Sequence, residues 1–134
     1  MSTATLSTAG ILLITVSGVV FGGLSLLMNI VKKIPGYMDN PVRRSLWTAG
    51  HAHAGVLVLF ALVALPYIDQ ADYSDGLKSL IRLLIVAAPI LMPLGFFLSI
   101  VKPSDSKPNK LILLVPLGGA SIAIGTLLLG IGLV

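Results

Sequence analysis

The sequence predicts an all-α polytopic membrane protein, a four-helix transmembrane bundle forming one domain over residues 1–134. Three observations predict it. Hydrophobic residues make up 56% of the chain, charged residues only 10%, and the mean hydropathy is +1.02. A soluble domain carries about 25% charge, so this chain cannot cover itself with polar surface and most of it meets lipid. Four apolar runs each reach the roughly 20 residues that a helix needs to cross a bilayer. The connectors between them, "KKIPGYMDNPVRR", "DQADYSDGLK" and "KPSDSKPNK", are too short for a second domain and make consecutive helices antiparallel neighbours. Helices are expected because lipid offers backbone N–H and C=O groups no partner outside the segment itself.

The first span runs from about Thr8 to Val31. It differs from a cleaved signal peptide: no basic stretch precedes it, "KK" follows it, and it exceeds the length of a signal h-region. It is therefore read as retained. Thr15, Gly18, Gly22, Ser25 and Asn29 recur at spacings of three and four, which puts small and hydrogen-bonding side chains on one helix face. Such faces let helix backbones approach closely in lipid.

The second span runs from about Ser45 to Ile68. It opens on Trp47, read as an interfacial anchor, and holds both histidines of the chain in "WTAGHAHAG". Thr48, His51 and Gly55 share one face at helical spacing. The third span runs from about Leu77 to Val101. Pro89 and Pro93 each remove a backbone bond and kink it, which either shapes the bundle or opens a cavity or hinge near mid-membrane. Arg82, about one turn inside, is expected to snorkel to the interface. The fourth span runs from about Leu111 to Val134. It carries Gly118, Ser121, Gly125 and Gly132 as a second small-residue face, with a further break at Pro116.

Charge placement orients the bundle. The connectors after spans one and three, residues 32–44 and 102–110, hold seven basic residues. The remaining connector region holds only Lys78 and Arg82, beside Asp69, Asp72 and Asp75. The positive-inside rule puts the two basic connectors in the cytoplasm and both termini outside, N-out/C-out. In a bacterial cell the host would be the cytoplasmic (inner) membrane. The basic residues flank apolar spans and interleave with no aromatic patch, which argues against nucleic-acid binding. With no cysteine, disulfides and thiolate metal sites are excluded, and no metal site is expected.

No Asp or Glu lies inside a span, which removes the usual proton-coupled carboxylate. His51 and His53 remain. They lie roughly 9 and 12 Å inside the cytoplasmic end of the second helix, at about 1.5 Å per residue. Residues two apart differ by about 200° on a helix, so the two rings face nearly opposite neighbours. One metal ion cannot be gripped by both.

The "HAH" segment, three residues of the 134, resembles the His-x-His segment in a transmembrane helix of heme-copper oxidase subunit I. There, the two histidines ligate different hemes on the two sides of the helix. The resemblance implies that His51 and His53 are each candidate axial ligands, with heme b as the cofactor. The family's other ligand histidines have no counterpart here, and the chain is far shorter than that subunit. Within this chain, Met92 lies about 13 Å deep in the third helix, a depth close to that of His53, and His/Met is a known axial pair. A His/His pair would need a second chain. Two other roles compete. Imidazole titrates near neutral pH, so either ring can relay protons. Alternatively, His51 bonds to Asn29 or Ser25 across the helix seam, with Thr48 on the same face, and acts as interhelical glue.

Three function classes follow. The first is a heme-binding protein or an accessory subunit of a respiratory, redox-active membrane complex. The second is a small transporter or channel working as a homo-oligomer, with kinked helices and histidines. The third is a structural or interaction protein whose polar stripes hold partners. Self-association or membership of a larger membrane complex is expected in each. No nucleophile–base pair, carboxylate pair or phosphate-cradling loop is present, so catalysis by the bundle alone is not expected.

Overall fold

The computed structural model describes all 134 residues, and it is all-helical with no strands. Its elements are α1 (Thr3–Val31), α2 (Pro41–Gln70), α3 (Asp75–Leu98) and α4 (Leu114–Ile131), the last entered through a 3₁₀ turn over Lys110–Leu113. All four segments are long and apolar enough to cross a membrane.

The helix ends differ from the hydropathy boundaries because capping sets them. α1 begins five residues before Thr8, since Ser2 is its N-cap and accepts from the backbone N–H of Thr5. α2 begins four residues before Ser45, where the Asn40 side chain accepts from the Arg43 N–H and Pro41 takes the first helical position. Proline suits that position because its missing N–H would have had no helical partner. α3 ends at Leu98, three residues before Val101. Pro116 does not break α4, because it lies in the first turn, where backbone N–H groups are unpartnered anyway. Pro89 and Pro93 are inside α3 and buried, and Pro66 is a further proline inside α2.

Each helix packs on its sequence neighbour: α1 on α2, α2 on α3, α3 on α4. The order is antiparallel throughout. Thr5 of α1 meets Asp69 near the end of α2, and Arg82 of α3 reaches the same carboxylate. Gly132 past the end of α4 meets Tyr73. Both termini and the 71–74 turn therefore share one end of the bundle, and the two basic connectors share the other.

The apolar core occupies the half nearer the termini. Ala61, Leu65, Ile68, Ile81 and Ile85 are almost fully shielded and gather Leu12 from α1 and Leu129 from α4. The α3–α4 seam fits the small-residue face expected of the fourth span. A Cβ at Gly118 would sit 2.6 Å from Met92 Cγ, and one at Gly125 would sit 2.9 Å from Ile85 Cγ1. Between them the Ser121 hydroxyl donates to the Leu84 carbonyl at 2.6 Å.

α1 behaves differently. It packs on α2 through Leu12, Val16, Val19, Gly23 and Leu26, a stripe at spacings of four and three. The small-residue stripe read from the sequence lies beside this seam. Thr15 and Gly18 are exposed, and nothing comes within 4 Å of a Cβ placed at Gly18. Thr15 and Ser25 return their hydroxyls to their own helix, at Leu12 O and Phe21 O.

Candidate functional site

The histidines occupy the half of α2 away from the main core, and they face different helices as their spacing requires. His51 points at α1. Its ring lies across the backbone of Gly22 and Gly23, and a Cβ at Gly23 would meet ring atoms Cε1 and Nε2 at 2.9 Å. Glycine is needed there for close approach rather than for an unusual backbone angle. His51 makes no hydrogen bond to Ser25 or Asn29, and the Ser25 hydroxyl donates back to Phe21 O of its own helix. Thr48 is exposed and touches the Tyr37 hydroxyl at 3.4 Å.

His53 points at α3. Its Nδ1–H donates to the Ala49 carbonyl at 2.8 Å, one turn back, and its ring packs at a tilt of 36° against Phe96 with centroids 5.1 Å apart. A carbonyl can only accept, so this bond fixes the proton on Nδ1 and leaves Nε2 as the free nitrogen. Met92 is on α3 as expected, but its side chain turns to α4 and packs on Gly118. None of the surface cavities is lined by either imidazole, and no cluster of three metal-ligating side chains exists.

Two polar knots close the ends of the bundle. At the terminal end, the Asp69 carboxylate accepts from the Ser2 N–H (2.6 Å), the Ser2 hydroxyl (2.9 Å) and the Thr5 hydroxyl (2.8 Å). Arg82 Nη2 pairs with the same group at 3.4 Å and also donates to Thr5. Arg82 thus reaches toward the terminal end of the bundle, where it meets a carboxylate. At the other end, Arg43 donates to the carbonyls of Gly36 and Val101, and its guanidinium lies 4.0 Å over the Trp47 ring. Trp47 in turn donates from Nε1 to Phe97 O and packs beside Tyr37. Trp47 is therefore a buttress between α2, α3 and the first basic connector, beyond its expected role as an anchor.

Neither knot stood out in the sequence. Arg82 and Asp69 are 13 positions apart on different helices, and Ser2 and Thr5 lie in a stretch whose side chains carry no charge pattern to mark them. The one available signal was an arginine placed inside an apolar span, which demands a partner.

The fold defines a class, a four-helix integral membrane bundle with apolar seams and polar clamps at both ends. No protein-family model, curated protein or solved structure matches the chain.

Proposed function

We propose that this protein is a non-catalytic subunit of a membrane assembly, with α1 as the helix that docks its partner. One observation carries the reading. The glycines at the α3–α4 seam, Gly95, Gly118 and Gly125, are filled by neighbouring side chains; Gly18 of α1 faces open space, as do Gly119 and Gly130 of α4, but Gly18 alone of these adjoins an exposed threonine, Thr15, and half-buried Ser25 on one face. Thr15, Gly18 and Ser25 form a small, weakly polar stripe beside the α2 seam, and lipid gives no apolar drive to cover it. Close backbone packing against another helix does. His51 borders this stripe through Gly22. In the cell, the basic connectors belong in the cytoplasm and the termini outside, by the seven-to-two basic asymmetry.

The test is native mass in a mild detergent. The wild type is expected to run as a complex well above the 14.0 kDa of one chain. Gly18→Leu should release the free chain while keeping its helical circular dichroism. A wild type that is strictly 14.0 kDa overturns the proposal.

A second reading, heme b ligation, has one observation in its favour: His53 presents Nε2 with Nδ1 held by a carbonyl, the arrangement that orients ligand histidines. The second ligand would come from another chain. A Soret band lost in His53→Ala supports it, and a colourless protein from heme-supplied cells ends it.

A further inference from the structure

We infer that the basic end of the bundle holds an anionic phospholipid, with its phosphate at Arg44 and one acyl chain in the groove between α1 and α2. The groove, about 500 Å³, is lined by Ile30 of α1, by Tyr37, and by Arg44, Ser45, Thr48 and Ala52 of α2. It exists because α2 presents alanine there: Ala49 and Ala52 are too small to fill the space beside Ile30. Ala52 lies eight positions beyond Arg44, about 12 Å along the helix, so the groove runs from headgroup level into the hydrocarbon. A second hollow, about 160 Å³, opens one turn deeper on the same pair of helices, between Val16 and Val19 of α1 and Gly55 and Leu59 of α2. Together they make an apolar path below a cationic mouth. Neither is lined by Thr15, Gly18 or Ser25, so the α1 stripe stays open for a protein partner.

The charges at this end select the headgroup. Arg44 is the one ionised side chain lining the groove, and no carboxylate lines it. Arg44 is exposed, and the chain's one ion pair, Arg82 with Asp69, lies at the opposite end. The neighbouring Arg43 is spent on Gly36 O, Val101 O and the Trp47 ring, which leaves Arg44 as the free guanidinium of this turn. Lys32 and Lys33, just beyond Ile30, are exposed as well. The acids of the two basic connectors are turned to backbone: Asp39 accepts from the Gly36 N–H and Asp105 from the Lys102 N–H. The α-ammonium is at the far end, where Met1 lines the pocket of Asp69 and Arg82, and so is Val134, two residues past Gly132. A phosphate accepts paired bonds from a guanidinium, and Ser45 and Thr48 add hydroxyl donors beside it. Basic side chains flanking a span attract anionic headgroups. An ethanolamine or choline ammonium would meet Arg44 with no carboxylate in the groove to balance it. A net-negative headgroup, such as phosphatidylglycerol, is therefore favoured over a zwitterionic one.

Native mass spectrometry of the detergent-purified protein, given equal phosphatidylglycerol and phosphatidylethanolamine, tests the site. One phosphatidylglycerol should remain bound at collision energies that strip phosphatidylethanolamine. Losing a charged hydrogen bond weakens binding about tenfold or more, so Arg44→Gln should reduce retention by that factor. Lys107→Gln removes the same charge from the other basic connector, outside the groove, and should leave retention unchanged. Ala52→Trp, at an exposed position, fills the trough below the mouth and should abolish retention. Should that variant lose its helical circular dichroism, the Arg44 and Lys107 pair still decides. Inorganic phosphate at millimolar concentration should not compete, because it lacks the acyl chain. Equal retention of phosphatidylethanolamine, equal losses in Arg44→Gln and Lys107→Gln, full retention in a folded Ala52→Trp, or displacement by inorganic phosphate would each overturn the assignment.

Discussion

Asp69→Asn is the sharpest test of how the bundle is clamped. The carboxylate receives four donors between 2.6 and 3.4 Å, from Ser2, Thr5 and Arg82. An amide keeps one acceptor oxygen and turns an NH₂ toward a donor that needs an acceptor. If the NH₂ replaces Oδ2, it faces the Ser2 N–H. If it replaces Oδ1, three donors lose their partner. Arg82 also loses its counter-ion while only 12% of its side chain is exposed. Breaking a fully buried pair costs about 3–5 kcal/mol, and a charged hydrogen bond contributes about 1.5–3 kcal/mol. This pair reaches some solvent, so the expected loss is about 2–4 kcal/mol. Asp72→Asn is the control: it makes the same charge change three residues away, and its contact with the bundle is through its backbone N–H to Gly132 O. Its expected effect is within about 0.5 kcal/mol. Equilibrium unfolding in SDS–detergent mixtures reads both. If Asp69→Asn and Asp72→Asn lose the same small amount, the clamp contributes nothing and the reasoning fails.

Further tests concern the seams. Gly125→Ala places a Cβ 2.9 Å from Ile85 Cγ1 and 3.3 Å from Ile85 N, so overpacking should cost about 1–3 kcal/mol in the same unfolding assay. Gly10→Ala, facing open space, should cost nothing and gain up to about 1 kcal/mol from helix propensity. Gly23→Ala should destabilise through the His51 ring, and a double-mutant cycle with His51→Ala should recover about 0.5 kcal/mol or more of coupling; strict additivity would mean that the two do not touch. Arg43→Lys should loosen both basic connectors, since a single ammonium cannot serve Gly36 O, Val101 O and the Trp47 face together. Faster proteolysis within residues 32–40 and 99–109 is the readout, and unchanged cleavage would contradict it.

The spans were legible because hydropathy sums over some 20 residues, and no single position matters to the sum. The same averaging hides the ends. Ser2 and Asn40 start their helices by capping, a local bond that a window cannot register. The α4 face of Gly118, Ser121 and Gly125 was legible because close backbone approach in lipid requires small residues. The α1 stripe of Thr15, Gly18 and Ser25 obeyed the same rule, yet this fold seats α2 beside it, on Leu12, Val19 and Gly23. Spacing identifies a face but not its occupant, and the occupant depends on the tilt of the neighbouring helix. The opposed directions of His51 and His53 followed from helix geometry alone. Their neighbours did not: Gly23 and Phe96 are set by register between helices, and Met92 was drawn to Gly118 because α4 leaves space there.

The α1 docking face is tested most directly by photocrosslinking in intact membranes, with a benzophenone side chain placed in turn at Thr15, Gly18 and, as the internal control, Gly119 on α4. Thr15 and Gly18 should give adducts heavier than 14.0 kDa, while Gly119, an open position outside the proposed face, should give none. If Thr15 and Gly18 yield only the single chain, α1 meets nothing but lipid and the proposed role as a docking subunit is wrong.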